Sequence, residues 1–186
     1  YKRQVYKLDD KEYLLVVNAS NIEKDWNHLE KNNKVFGAKL KNISDQTALL
    51  SVQGPRALEA MQSLTDFKLI SLPHYGLAIT NFAGFQNILI ATTGYTGAGG
   101  IEIFFQSNNA EKIWYSILEA GSAFGIKPVG LGARDSLRTE MGYCLYGNEI
   151  DETTSPISAG LGWISEPEKR CINFKNIRRQ KSNGTE

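Results

Sequence analysis

The stretch TTGYTGAGGIEIFF, residues 92–105, constrains the fold of this chain more than any other, because a glycine-rich loop leads directly into an apolar strand. Glycine tolerates positive φ and has no side-chain bulk, so the loop predicts close approach of another backbone or of a flat ligand. The loop is neither a phosphate loop nor a dinucleotide-binding fingerprint, because no Gly-Lys-Ser/Thr follows it and it leads into a strand rather than a helix. The glycines are Gly94, Gly97, Gly99 and Gly100.

Glu102 is the acidic residue of the strand predicted over 101–105. Successive side chains of a strand point to opposite faces, so Glu102 shares a face with Phe104, and we expect that face to be half-buried. Burying an unpaired carboxylate is costly, so Glu102 would need an arginine, backbone donors or a ligand with paired N–H groups. An exposed face where Glu102 meets water is an equally good interpretation of the strand alone.

The alternation of strand and helix patterns predicts an α+β fold. A hairpin is predicted around Asp9-Asp10-Lys11, followed by a helix with the stripe Ile22, Trp26 and Leu29. From 47 to 124 the order is β-α-β-β-β-α, which predicts an antiparallel sheet with helices on one face, as in a ferredoxin-like split βαβ unit. Capping boxes are predicted for two helices, at Ser20 with Glu23 and at Asn108 with Glu111. The second of these helices is predicted to have the apolar stripe Ile113, Ile117, Ala120 and Phe124 and to end at Gly125.

A second cluster of functional interest lies in GLGARDSLRTEMGYCLYGNEID, residues 130–151. Leu131, Leu137 and Met141 share one side of a predicted helix, and Arg134 lies on another. A cation near a helix start opposes the macrodipole by about 0.3–1 kcal/mol, so Arg134 is better explained by a partner than by helix stability. A salt bridge to a glutamate is the structural alternative.

Composition excludes several classes of function. A net charge of +1 gives no electrostatic basis for nucleic-acid binding, and no apolar run is long enough to span a membrane. Neither a signal peptide nor CxxC spacing is present, so we expect reduced Cys144 and Cys171 and a cytoplasmic protein. With two histidines and two scattered cysteines, no metal site is expected.

Several motifs together resemble the glycine cleavage system T protein, the tetrahydrofolate-dependent aminomethyltransferase. They are YLLVVNASNIEKDW, LLSVQGPRA, TGYTGAGGIEIFF, GLGARDSLRTEMGYCLYGNEID and TSPISAGLGWI. The resemblance runs from about Val5 to Ile164 and implies a central fragment without the family's C-terminal β-barrel. It implies that residues 1–45 and 130–186 belong to a folate-binding α/β domain, and that 46–129 form the ferredoxin-like domain.

The resemblance implies a function for four residues. In that family, a one-carbon unit passes from the aminomethyl-lipoyl arm of the H protein to tetrahydrofolate, and ammonia is released. The family's two folate contacts match Glu102 and Arg134; Arg134 would meet either the pterin or the glutamyl tail. Tyr95 and Trp163 would line the same cavity, and a plain core role is equally plausible for both. No metal is implied.

The catalytic residue is not assigned by the motifs. The family's catalytic aspartate falls on Lys2, which cannot act as that acid, and Asp9 and Asp10 occupy a turn that should be solvated. The acid pair therefore precedes Tyr1 or is lost, and we expect the fragment to be inactive alone. The alternatives are another tetrahydrofolate-dependent demethylase of the superfamily and a folate-binding module without transfer activity.

Overall fold

The structure is a computed structural model and describes residues 4–169 and 172–185. Lys2 and Cys171 lie outside the described residues. The chain divides into two compact units, one extending to Met141 and the other beginning at Gly142. The predicted domain boundaries at residues 45 and 129 stay predictions.

The first unit contains a four-stranded antiparallel sheet. Its strands are β3 (Thr47–Gln53), β4 (Leu77–Phe82), β5 (Phe85–Ala91) and β6 (Gly100–Gln106). Their spatial order is β3-β6-β5-β4, and each neighbouring pair is antiparallel. β6 therefore inserts between β3 and β5. The predicted α+β class with an antiparallel sheet is confirmed.

Two helices, α2 (Ala57–Met61) and α3 (Ala110–Gly121), pack on one face of this sheet. The predicted stripe of α3 is buried at Ile113 and Ile117, and the helix segment ends at Gly125, whose positive φ fits a left-handed terminus. Together with α2 and the sheet these residues form the larger apolar core. Its fully buried strand residues are Phe82, Ile90, Ile101 and Ile103.

A hairpin of β1 (Gln4–Lys7) and β2 (Tyr13–Val16) packs on the opposite face of the sheet. Tyr6 meets Phe104 edge-on, with the ring centroids 5.6 Å apart, and they form a second apolar cluster with Leu89 and Ala91. The hairpin turn is predicted correctly: the Asp9 carboxylate accepts bonds from the backbone N–H groups of residues 11 and 12, and Asp9 and Asp10 are exposed.

Both predicted capping boxes are wrong. α1 (Ile22–Asn33) and α3 begin two residues after Ser20 and Asn108, and neither has a side-chain cap hydrogen bond. A 3-10 turn precedes each helix, at Ala19–Asn21 and Ser107–Asn109. In these turns, early backbone N–H groups donate to main-chain carbonyls; the Asn21 N–H, for example, donates to the Asn18 carbonyl. The N-cap positions therefore move to Asn21 and Asn109.

The apolar stripe predicted for α4 (Leu131–Glu140) is not a core stripe. Leu131 is 80 % exposed, and Leu137 and Met141 are also exposed. The buried residue of α4 is Arg138, 3 % exposed, whose Nε donates to the Asp135 carboxylate over 2.7 Å. This ion pair compensates the guanidinium charge, so the long side chain can be buried in place of the leucines.

The second unit is built mainly of turns and one helix, α5 (Phe174–Asn183). The Asp151 carboxylate accepts bonds from the N–H and hydroxyl groups of Thr153 and Thr154, and these bonds hold its pKa below the usual value. Ser155 donates to the Gln180 side chain over 2.6 Å, which ties the turn segment to α5. Trp163 lies in the 3-10 turn Gly162–Ile164.

Candidate functional site

Glu102 is completely buried in the middle of the sheet of the first unit. It lies on β6 opposite Ser51 of β3 and Ala91 of β5, on the face covered by the hairpin. Its Oε2 accepts a bond of 2.6 Å from the Thr93 hydroxyl and one of 3.1 Å from the Gln4 side-chain amide. Burial excludes the interpretation in which Glu102 simply meets water, and it exceeds the half-burial that the strand pattern predicts.

Tyr6 extends this polar cluster within the hairpin face. Its hydroxyl lies 3.0 Å from the Thr93 hydroxyl. The pKa of Tyr6 is raised to about 12, mainly by burial; the Thr93 hydrogen bond lowers it in part, and the nearby Glu102 contributes to the rise. Tyr6 is therefore a neutral phenol at physiological pH and can donate a hydrogen bond.

Gln4, Tyr6 and Thr93 are site residues that the sequence motifs do not identify. The signal for Thr93 is the period of two along β5, because residues 89, 91 and 93 fall on the same face as Glu102. Gln4 and Tyr6 share one face of β1 by the same rule. The hairpin covers this face of the sheet through a tertiary contact between distant segments. A local sequence pattern therefore cannot show which face is covered.

Arg134 and Tyr95 are brought together. The Arg134 guanidinium carbon lies 5.0 Å from the centroid of the Tyr95 ring, and Tyr95 is buried. Among the described residues, Arg134 has no ion pair, so the predicted alternative of a glutamate salt bridge is not the arrangement found. The cation–π contact fixes the guanidinium over an aromatic face and leaves its N–H donors for other acceptors.

The glycine loop makes room for the protein's own atoms. A Cβ at Gly94 would collide with the Gln53 side chain, one at Gly97 with Met141, and one at Gly100 with the backbone carbonyl of residue 52. Gln53 bonds the loop at several points: its Nε2 donates to the Thr93 carbonyl over 3.1 Å, and its Oε1 accepts from the Thr96 hydroxyl over 3.1 Å. At Gly100 the close neighbour is backbone, as the first of the two interpretations expects, whereas at Gly94 and Gly97 it is a side chain, which neither interpretation names.

The other predicted aromatic residue, Trp163, is 71 % exposed in the second unit. A plain core role for Trp163 is therefore wrong, because an indole in an apolar core would be buried. A cleft of about 350 Å³ also lies in the second unit, lined by residues 152–156, Asn173, Asn176, Ile177, Arg179 and Gln180. None of the four predicted site residues lines it.

Within residues 4–169 and 172–185, no group of three or more His, Cys, Asp and Glu side chains is arranged to hold a metal ion. Over the same ranges, every helix is too short or too polar to cross a membrane.

Curated relatives of this chain carry the name aminomethyltransferase. The protein from Flavobacterium psychrophilum is 54% identical over 180 residues, which cover 97% of this chain and 50% of the relative. The protein from Bacteroides fragilis is 55% identical over 183 residues, with the same coverage of both chains. This chain therefore spans about half the length of the curated relatives that it matches.

Solved structures agree with this relationship. The glycine cleavage system aminomethyltransferase T from Bartonella henselae superposes with a TM-score of 0.76 at 31% identity, over 98% of this chain and 49% of that chain. The heterotetrameric sarcosine oxidase from Corynebacterium sp. U-96 reaches a TM-score of 0.53 at 18% identity, over 69% of this chain and 64% of that chain, and shares the fold.

A family profile confirms the resemblance that the motifs suggested. The profile described as the GCVT N-terminal domain matches residues 3–169, which include Glu102, Arg134, Tyr95 and Trp163. Because the match covers most of the sequence, the chain belongs to the family of the GCVT N-terminal domain.

Proposed function

We propose that this chain is the tetrahydrofolate-binding part of a glycine cleavage system aminomethyltransferase. Such an enzyme would transfer the one-carbon unit from the aminomethyl-lipoyl H protein to tetrahydrofolate and release ammonia. The observation that carries the proposal is the fully buried, hydrogen-bonded carboxylate of Glu102, beside a glycine loop, in a chain about 54% identical to named aminomethyltransferases.

Glu102 has the chemistry to recognise a pterin. The 2-amino-pyrimidine edge of a pterin presents two N–H groups, and a carboxylate can accept both. Burial costs free energy for any charge, and donors such as Thr93 and Gln4 offset part of that cost. A carboxylate in a low-dielectric site interacts more strongly with a hydrogen-bond donor than it would in water.

Arg134 supplies the complementary donors. Its guanidinium has five N–H groups and lies over the Tyr95 ring, so its plane is held before a ligand arrives. The acceptor would be either the pterin carbonyl or a carboxylate of the glutamyl tail. The proposal keeps Tyr95 and the exposed Trp163 as aromatic contacts of folate.

Tetrahydrofolate titration of the chain tests this assignment. Replacing Arg134 by glutamine should weaken binding about 10–100-fold, because hydrogen bonds to charged groups contribute about 1.5–3 kcal/mol. Arg56→Gln is the matched control, since Arg56 also lies over an aromatic ring, 4.5 Å from the centroid of Phe124. Unchanged affinity in Arg134→Gln, or equal losses in both variants, would contradict the role of Arg134.

The proposed partner is the lipoylated H protein, and co-purification distinguishes it from the alternatives. A tagged chain should retain the lipoylated H protein and release the form without lipoate, because the lipoyl arm carries the reacting group. Another folate-dependent demethylase or a folate-binding module has no need of that arm. Equal retention of the two forms, or of neither, would favour those alternatives.

A further inference from the structure

Three buried polar side chains form a chain of hydrogen bonds behind the proposed folate contact. The Tyr6 hydroxyl lies 3.0 Å from the Thr93 hydroxyl, and the Thr93 hydroxyl lies 2.6 Å from Oε2 of Glu102. They come from separate segments: Tyr6 from β1, Thr93 from the loop after β5, and Glu102 from β6. Each is at most 5 % exposed, so water has little access to replace these bonds.

The chemistry of the three groups fixes the direction of each bond. The Thr93 hydroxyl has a single proton, and it donates this proton to Oε2 of Glu102. That leaves the Thr93 oxygen as an acceptor toward Tyr6, and Tyr6, a neutral phenol at physiological pH, donates to it. Tyr6 therefore donates to Thr93, and Thr93 donates to Glu102, so each hydroxyl proton forms a hydrogen bond to the next oxygen.

Such an ordered chain holds the carboxylate in one orientation before a ligand binds. The edge-on contact of Tyr6 with Phe104 fixes the phenol ring, and the 2.6 Å bond is in the short range of charge-assisted hydrogen bonds. Side chains already fixed in the bound geometry do not have to be ordered on binding, and this raises affinity.

We propose that Thr93 is a positioning residue for the folate-binding carboxylate, and that Tyr6 orients the Thr93 hydroxyl toward Glu102. This inference rests on the proposed function, because it names residues that act on the same site. The ligand class is a fused ring with a 2-amino-pyrimidine edge. Thr93 contacts Glu102 and acts on the ligand through it.

A threonine that only stabilises the fold would affect melting and leave affinity unchanged, so the experiment measures both. Tetrahydrofolate is titrated into the full chain and its Thr93→Val, Thr93→Ser and Tyr6→Phe variants, each with a thermal melt. Thr93→Val should weaken binding about tenfold, the effect of losing one hydrogen bond to a charged group. Thr93→Ser restores the hydroxyl and should bind within about threefold of the parent chain, since serine has the same donor.

Thr92 provides the matched control. It is also buried, and its hydroxyl donates to the Pro73 carbonyl over 2.5 Å and accepts from Gly76 N–H over 2.9 Å, away from Glu102. Thr92→Val should lower the melting temperature and leave tetrahydrofolate affinity unchanged. An equal affinity loss in Thr92→Val and Thr93→Val would mean a general structural effect and would overturn the inference.

The remaining outcomes separate the inference from the proposed function. If the parent chain binds tetrahydrofolate and Thr93→Val binds equally well, the inference fails and the proposed function stands. If the parent chain does not bind, both fail. Should Thr93→Val not fold, Tyr6→Phe decides: affinity about threefold weaker supports the ordered chain, because one neutral hydrogen bond is lost, and unchanged affinity overturns it.

Discussion

Replacing Glu102 by glutamine is expected to weaken tetrahydrofolate binding about 10–100-fold, with little change in fold stability. Glutamine keeps the shape of the side chain, and its carbonyl oxygen can still accept from Thr93 and Gln4. Its NH₂ group, however, would face an N–H of the ligand. Losing that charged acceptor corresponds to about 1.5–3 kcal/mol of binding free energy. Calorimetric titration and a thermal melt measure the two quantities.

Glu59→Gln is the control for this substitution. Glu59 is an exposed carboxylate of the same unit and accepts from Arg56 over 3.0 Å, so its loss should change neither affinity nor melting appreciably. If Glu102→Gln binds tetrahydrofolate normally while its melting temperature falls by several degrees, Glu102 is a structural residue and the folate assignment is wrong.

Replacing Phe82 by alanine is expected to lower the free energy of unfolding by about 3–5 kcal/mol. Phe82 lies at the end of β4, is completely buried, and belongs to the core between the sheet and helices α2 and α3. Truncating it removes a large apolar area from the core and leaves a cavity that its neighbours fill only partly. Equilibrium denaturation with urea, followed by circular dichroism, measures the loss.

Ile79→Ala is the matched control, because Ile79 lies on the same strand and is about half exposed. Ile79→Ala should lower the free energy of unfolding by well under half as much as Phe82→Ala, because it removes less buried apolar area. Similar losses in the two variants would show that β4 does not pack as described.

Local sequence patterns predict the elements of the fold well but not their arrangement. The apolar run in 101–105 identifies β6, and the stripe of α3 correctly identifies Ile113 and Ile117 as buried. Both faces of β6 are buried, however, and the alternation along the strand does not report this. The insertion of β6 between β3 and β5 depends on pairing between distant segments, which no local window contains. The capping boxes fail because a 3-10 turn precedes each helix, so the N-cap is one residue later than predicted, at Asn21 and at Asn109.

The candidate site is predicted in part, for the same reason. The face of Glu102 follows from alternation, but its complete burial comes from the hairpin that packs over that face. The contact between Arg134 and Tyr95 joins α4 to the glycine loop, 39 residues earlier in the sequence. The stripe of α4 is misleading because Asp135 compensates the charge of Arg138, and the arginine is then buried instead of the leucines.

The central claim, that Glu102 and Arg134 bind one folate molecule, is tested most directly by a crystal structure of the chain with tetrahydrofolate. The account predicts the 2-amino edge of the pterin within hydrogen-bond distance of the Glu102 carboxylate, and a folate oxygen within hydrogen-bond distance of the Arg134 guanidinium. A pterin bound elsewhere, for example in the cleft lined by residues 152–156 and Gln180, with Glu102 and Arg134 untouched, would contradict it.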